Sequence, residues 1–291
     1  MHWLATPECG QDGRIGSDQV PAPRMISPTM LALLLQNATL STACFVGLWL
    51  VSLALRDVSF VDSWWALGIV VLALATHAET GDESPRGLLL LALTVVWGLR
   101  LGFYLFRRWR TQGPDPRYSA IMKSAAARRG WSFAKTAGLQ VFLLQGVLQF
   151  IVVMPVMLGQ IGDNGAPGAL AYAGAALAVF GILFESIGDW QLARFRKDPA
   201  NKGRVMDTGL WRATRHPNYF GDTCVWWGLY LIAAETQFGA WTLPAPILIT
   251  VLLTRVSGVP LLEHQLRKNR PGYADYVART SAFIPWWPKR G

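Results

Sequence analysis

The residues best suited to chemistry lie in segment 184–230, where a polar, basic loop joins two apolar runs. The loop ends in the string 215–222, which reads RHPNYFGD. Pro217 and Gly221 favour a turn that leads into a helix. The string therefore predicts polar side chains on the first helical turn that can hydrogen-bond a cofactor, namely Asn218, Tyr219 and Asp222. His216 by itself is more often a structural hydrogen-bonding residue.

Cations crowd the same loop, and they can bind phosphate groups through charge-assisted hydrogen bonds. They are Arg196, Lys197, Lys202, Arg204 and Arg215. On charge alone, the positive charge that membrane proteins carry on their cytosolic side is the simpler explanation. Glu185 and Asp189 favour a ligand, because they share one face of a helix end and carboxylates at membrane depth are usually functional or paired. An ion pair with Arg196 is the structural alternative, whereas a bound nucleotide would use both the acidic and the basic groups.

Further candidates lie on other segments. Arg100 sits inside an apolar run, with Tyr104 one turn later on the same face. This pattern indicates either a snorkelling arginine or a helix face that lines a polar cavity. Asp62 lies near the start of another apolar run, where snorkelling is again the alternative. Glu263 and Tyr276 belong to a C-terminal segment that predicts an amphipathic cytosolic helix.

Composition places these residues in a membrane protein. The chain is 52% hydrophobic and only 15% charged, whereas soluble domains carry roughly 25% charge. The net charge of +9 would indicate a nucleic-acid partner in a soluble protein. Here the cations lie between apolar runs, so membrane orientation and an anionic ligand explain them better, and no nucleic acid is expected. The 3 cysteines lack CxxC spacing and predict neither a disulfide framework nor a metal site.

Seven apolar runs are long enough, or nearly so, to cross a bilayer as helices of about 20 residues. They lie near 31–55, 59–78, 87–106, 137–158, 167–187, 220–236 and 240–257. No strand alternation competes with them, so the sequence predicts an all-α polytopic membrane protein in contact with membrane lipids.

Loop charge predicts the orientation of these helices. The connections after the second, fourth and sixth runs carry acidic residues, among them Glu79, Asp163 and Glu235. By contrast, 107–135, 194–215 and the C-terminal tail are rich in Lys and Arg. The positive-inside rule then places the N-terminus outside and the C-terminus in the cytosol. Residues 1–29 are predicted to be a disordered tail or an over-long start, and 30–291 a single membrane domain for which a monomer is sufficient.

These residues resemble the steroid 5-alpha-reductase superfamily, in particular its uncharacterised bacterial branch, over about 59–288. The strongest part of the likeness is 184–228, which contains the RHPNYFGD string. The chain is more weakly similar to the isoprenylcysteine carboxyl methyltransferases, which share an RHPxYxG-type string and a Glu…Tyr…Ile-Pro tail but use S-adenosylmethionine.

The first resemblance implies an NADPH-dependent oxidoreductase of the bacterial inner membrane that reduces a conjugated carbon–carbon double bond in a steroid, isoprenoid or other lipid-like substrate. It implies NADPH contacts from Arg100, Tyr104, Glu185, Asp189, Arg196, Asn218, Tyr219 and Asp222. In that family an acid and a tyrosine polarise the substrate carbonyl. The matching positions here hold Asp62 and Trp97, and an indole N–H can support a hydrogen bond but cannot deliver a proton. The alternative is a membrane methyltransferase.

Overall fold

The computed structural model describes residues 28–161, 165–256, 263, 266–267 and 270–288. The predicted N-terminal tail lies outside these residues, except that its last two positions belong to the first helix, which begins at Pro28. Asp163, expected in an acidic loop, lies outside the described residues as well.

Within the part of the chain that the structure describes, six helical stretches are long and apolar enough to cross a membrane. The first three are continuous helices: α1 (Pro28–Leu55), α2 (Val61–Thr80) and α3 (Pro85–Gln112). A shorter helix, α4 (Pro116–Arg129), follows them. The fourth stretch, Phe133–Val152, consists of α5 (Phe133–Thr136), a π-helical part (Ala137–Leu143) and α6 (Leu144–Val152).

The second half of the chain is also helical. It contains α7 (Met154–Leu158), α8 (Ala169–Lys197), α9 (Leu210–Ala213) and α10 (Pro217–Ala233). The sixth membrane-length stretch, Gly239–Val256, is built around α11 (Pro244–Val251), and α12 (Tyr273–Arg279) lies near the C-terminus. The described residues form no β-strand, so the prediction of an all-α, multi-pass membrane architecture is confirmed, with six membrane-length helices.

Local sequence explains where several helices begin. Ser84 precedes α3 and accepts a hydrogen bond from the backbone N–H of Gly87 at 2.9 Å. Asp115 caps α4 in the same way, through the N–H of Arg117 at 2.9 Å. These are N-caps, which satisfy amides that have no partner inside the helix. The amides at the start of α8 are instead capped from a distance by the carboxylate of Glu235, just beyond α10.

Two predicted boundaries are wrong. The apolar run 167–187 continues as helix to Lys197, so Arg196 and Lys197 lie on its last turn rather than in a loop. A contact with α9 helps to stabilise the polar last turns of α8: the side chain of Gln191 accepts a hydrogen bond from the N–H of Leu210 at 3.0 Å. The run 137–158 is divided after Val152, since Pro155 of α7 has no N–H to continue the helix.

Helices α8 and α10 pack against each other through two pairs of glycines. A Cβ on Gly181 would lie 2.5 Å from the carbonyl oxygen of Gly221, and a Cβ on Gly174 would lie 2.6 Å from that of Gly228. No side chain fits at these points, so the two backbones approach closely. The contact fixes the faces of α8 and α10 that carry the polar residues of the candidate site.

The core lies among α2, α3, α7 and α10. Its largest buried side chains include Leu90, Trp97, Met157, Trp226 and Ile232. The outer surface is strongly apolar as well, since Phe103 is 63% and Leu183 57% exposed. Such a surface is unusual for a soluble monomer, and together with the helix lengths it indicates an integral membrane protein.

Candidate functional site

An arginine of α3 and two carboxylates of α8 form the first part of the site. Arg100 makes an ion pair with Glu185 and donates a hydrogen bond from Nη1 to Asp189 Oδ2 at 2.7 Å. The two carboxylate side chains are only 3% and 5% exposed. Glu185 and Asp189 thus share one helix face as expected, but their partner is Arg100. The alternative of an ion pair with Arg196 is wrong, because Arg196 forms none with the described residues.

Helix α10 adds a third carboxylate to this group. Asp222 is 9% exposed, and Trp97 and Trp226 face it. The two indole rings pack edge to face, with centroids 5.1 Å apart. Asp222 Oδ1 and the indole N–H of Trp97 are both buried without a hydrogen-bond partner among the described residues. Asn218 faces Asp189 one turn earlier on α10. The prediction that Asn218, Tyr219 and Asp222 project from the start of a helix is therefore confirmed.

A basic cavity of about 620 Å³ lies beyond the end of α8. Its walls come from α8, the following loop and the C-terminal segment. The cations that line it are Arg196, Lys197, Lys202, Arg204, Arg215 and Arg270. Of these cations, Arg215 is the one that makes an ion pair with a described residue, Glu263. One carboxylate, Asp198, also lines the cavity but makes no ion pair with a described cation, so the cavity carries a net positive charge.

Tyr104 lies between the carboxylate cluster and the basic cavity. It interacts electrostatically with Asp189 and Arg100 on one side and with Arg196 on the other. Arg196 lines the cavity, whereas Asn218 and Asp222 do not. The sequence-predicted residues thus form two adjoining groups, one in the cavity and one around Arg100, with Tyr104 next to both.

The remaining residues of the RHPNYFGD string hold the C-terminal segment in place. Glu263 accepts hydrogen bonds from Arg215 Nε at 2.8 Å and faces His216 Nε2 at 3.1 Å. Burial would raise the pKa of the Glu263 carboxyl, but the hydrogen bonds from His216 and Arg215 outweigh it and lower that pKa below its ordinary value. The hydroxyl of Tyr276 donates to the carbonyl of Trp211 at 2.5 Å. His216 stacks on Tyr219, with ring centroids 5.5 Å apart.

The structure does not bring the two predicted catalytic residues together. Asp62 accepts a hydrogen bond from Arg117 at 2.7 Å and another from the hydroxyl of Tyr118 at 2.5 Å. Gln145 in turn donates to the Tyr118 hydroxyl at 3.0 Å. Trp97 belongs to the separate group around Asp222. Burial and the Asp62 charge raise the pKa of Tyr118 well above its usual range, so its hydroxyl keeps its proton.

Comparison with known proteins places the chain in a family. The family model described as "Protein of unknown function (DUF1295)" matches residues 48–280. The chain belongs to the DUF1295 family. An uncharacterized protein of Schizosaccharomyces pombe, C594.04c, is 23% identical over 267 residues, which cover 82% of this chain and 75% of that protein. No solved structure matches. Every candidate site residue, from Asp62 to Tyr276, lies inside the part that defines the DUF1295 family.

Sequence reasoning missed several members of the site. Arg270 and Tyr273 line the basic cavity, and burial raises the pKa of Tyr273 to about 12, although Arg215 opposes that shift. Arg117 and Tyr118 surround Asp62 although they lie on α4. The available signal was the Asp-Pro-Arg-Tyr string at 115–118, because an N-cap followed by proline predicts an ordered helix start.

Proposed function

We propose that this chain is a membrane-embedded NADPH-dependent reductase that acts on a conjugated carbon–carbon double bond in a hydrophobic, lipid-like substrate. The observation that carries the proposal is the basic cavity and its unneutralised cations. Its volume of about 620 Å³ is in the range of small-molecule and cofactor pockets. NADPH carries phosphate groups on both of its halves, so cations spread along a cavity match its chemistry.

The residues at the site fit this cofactor. Arg196, Lys197, Lys202 and Arg204 would hold phosphates, and the polar side chains of α10 with Asp189 would hold ribose and carboxamide groups. NADPH supplies a hydride when bound. The buried indole N–H of Trp97 faces Asp222 without a close hydrogen bond, so it can donate one to a substrate carbonyl. Asp62 accepts hydrogen bonds from Arg117 and Tyr118, so its effect on a substrate carbonyl would pass through these two residues.

Resemblance to the steroid 5-alpha-reductases supports the same proposal. The string that resembles that family, 215–222, covers the start of α10 and lies at this site. We propose that α10, although only 17 residues long, counts as a seventh membrane helix. That count puts Glu79 and Glu235 on the outer side and the basic cavity on the cytosolic side of a bacterial inner membrane. NADPH would then enter from the cytosol.

The competing proposal is a membrane methyltransferase that uses S-adenosylmethionine. That cofactor has no phosphates and carries a cationic sulfonium, so it does not need this many basic groups. Thermal unfolding of the purified protein with NADPH, NADH or S-adenosylmethionine separates the two. At a ligand concentration of about 100 Kd, binding stabilises the native state by about 2.7 kcal/mol, which corresponds to a rise in Tm of roughly 5–10 °C.

We expect the largest shift with NADPH. Stabilisation by S-adenosylmethionine alone would replace the reductase proposal with the methyltransferase, and no shift with any of the three would remove both. Once binding is measured, NADPH consumption with a set of lipid-like enones tests the reaction.

Single substitutions test the cavity itself. Arg196→Ala removes a cation of the cavity wall, and loss of a charge-assisted hydrogen bond of about 1.5–3 kcal/mol weakens NADPH binding roughly 10- to 100-fold. Arg194→Ala is the matched control, because Arg194 lies two residues earlier on α8 and packs over Trp190, 5.6 Å from the ring centroid, outside the cavity. Equal affinity for NADPH in both variants would refute the assignment of the cavity.

A further inference from the structure

The carboxylate cluster holds more negative charge than its arginine can neutralise. Glu185, Asp189 and Asp222 surround the single guanidinium of Arg100. Arg100 is in ion-pair contact with Glu185 and Asp189 but not with Asp222, and Asp222 has no ion pair with any described cation. If all three carboxyls were ionised, the cluster would carry two uncompensated negative charges inside a membrane-length helix bundle.

The close approach of α8 and α10 brings Glu185 near Asp222. A Cβ on Gly221 would lie 2.6 Å from the backbone nitrogen and 2.8 Å from the Cβ of Glu185, and Asp222 is the next residue in the chain. The two residues are 2% and 9% exposed. The two carboxyls interact directly through their charges, and Asp222 Oδ1 is buried without a hydrogen-bond partner among the described residues.

Arg100 is the cation that interacts with the pair among the described residues. Helix α3 contributes Arg100 and, farther along, Tyr104; α8 contributes Asp189; and α10 contributes Cys224, a neutral thiol. Helices α7 and α11, which also pack against α10, carry no titratable side chain. The indole N–H groups of Trp97 and Trp226 face Asp222 and offset part of its charge, but neither indole is positively charged.

Two buried carboxylates held close together at low dielectric resist being ionised at the same time, because their repulsion and the cost of burying charge favour a shared proton. We propose that Glu185 and Asp222 bind one proton between them at neutral pH and form a proton-binding site beside the basic cavity. The proton belongs to the pair rather than to either residue. With this proton bound, the cluster keeps one uncompensated negative charge.

Infrared spectroscopy of the purified protein at pH 7 tests the proposal directly, since a protonated carboxyl has a C=O stretching band that a carboxylate lacks. We expect this band in the wild-type protein and its loss in both Asp222→Asn and Glu185→Gln, because either change lets the remaining carboxylate ionise. Asp115→Asn is the control: Asp115 is ion-paired with Arg108 and Arg117, so the band stays.

A wild-type spectrum without the band overturns the proposal, and so does a band that persists in either pair variant. If Glu185→Gln fails to fold, Asp222→Asn alone decides the question. These measurements need no cofactor, so their outcome does not depend on whether the protein is a reductase.

A second measurement rests on the proposed function. Loss of the shared proton at high pH adds a negative charge near the bound phosphates, so NADPH affinity falls roughly tenfold as pH rises through the titration of the pair. Asp222→Asn leaves the pair with one constant negative charge, carried by Glu185, and removes this dependence. NADPH that binds with the same pH dependence in wild type and Asp222→Asn would refute the coupling, whereas absence of NADPH binding would refute only the reductase.

Discussion

Replacing Arg100 by methionine tests the central contact of the site. Methionine keeps most of the side-chain volume but removes the charge that faces Glu185 and Asp189. The arginine side chain is 22% exposed and the two carboxylates 3% and 5%, so the pair is largely shielded from water. Breaking a buried ion pair by removing one partner costs about 3–5 kcal/mol, because it leaves an uncompensated buried charge.

This cost translates into a large change in thermal stability. For chains of this size, 1 kcal/mol shifts Tm by about 2–4 °C, so Arg100→Met is expected to lower Tm by roughly 6–20 °C. The measurement is thermal unfolding in detergent, followed by circular dichroism. Arg194→Met is the control, since Arg194 is exposed on α8 and surface substitutions change stability by about 0.5 kcal/mol or less.

A double substitution separates lost charge from lost packing. Adding Glu185→Gln to Arg100→Met removes one of the unpaired carboxylates, so the double variant should regain part of the lost stability. If Arg100→Met unfolds at the same temperature as Arg194→Met, the buried ion pair does not stabilise the fold. If the double variant is less stable than Arg100→Met, uncompensated charge is not the cause of the loss.

Two further predictions concern the packing of α8 on α10 and the C-terminal contact. Gly221→Ala should lower Tm by several degrees, because its Cβ would meet the α8 backbone at 2.6 Å. The control is Gly47→Ala on α1, whose Cβ would meet nothing within 4 Å and which should leave Tm unchanged or slightly higher. Equal Tm values for the two variants would contradict the close approach of α8 and α10. Glu263 has a pKa below its ordinary value of 4.5 because hydrogen bonds from His216 and Arg215 outweigh its burial. Its ionised form therefore stabilises the protein above about pH 4.5, and this contribution is lost as pH falls through the folded-state pKa. The Tm of Glu263→Gln should be lower than wild type at pH 7 and approach it in acid; a constant difference would argue against an ionised Glu263.

The membrane helices could be predicted from the sequence because burial in lipid demands long apolar runs, and those runs are visible without any partner. Their ends could not be predicted as well. The last turns of α8 are polar and resemble a loop in the sequence, and hydrogen bonds from α9 to Gln191 and Gly188 help to hold them. Such contacts arise in the folded chain and leave no periodic signal.

The sequence predicted individual site residues better than it predicted which of them contact each other. Helical spacing placed Glu185 and Asp189 on one face, since that is a local property. Their partner Arg100 lies 89 residues from Asp189 in the chain, and no spacing rule connects residues on two separate helices. The same holds for Asp62, whose partner Tyr118 lies 56 residues away.

The glycine contacts between α8 and α10 bear on how the protein could open. Gly174 and Gly181 are seven residues apart, as are Gly221 and Gly228, so the two helices touch at points about two turns apart. Sliding one helix along the other would drive side chains into backbone at both points, and the pair must move as a single rigid block. Any motion that admits a ligand would therefore leave this helix pair intact and move the elements around it, such as α3, which carries Arg100, or the loop that follows α8.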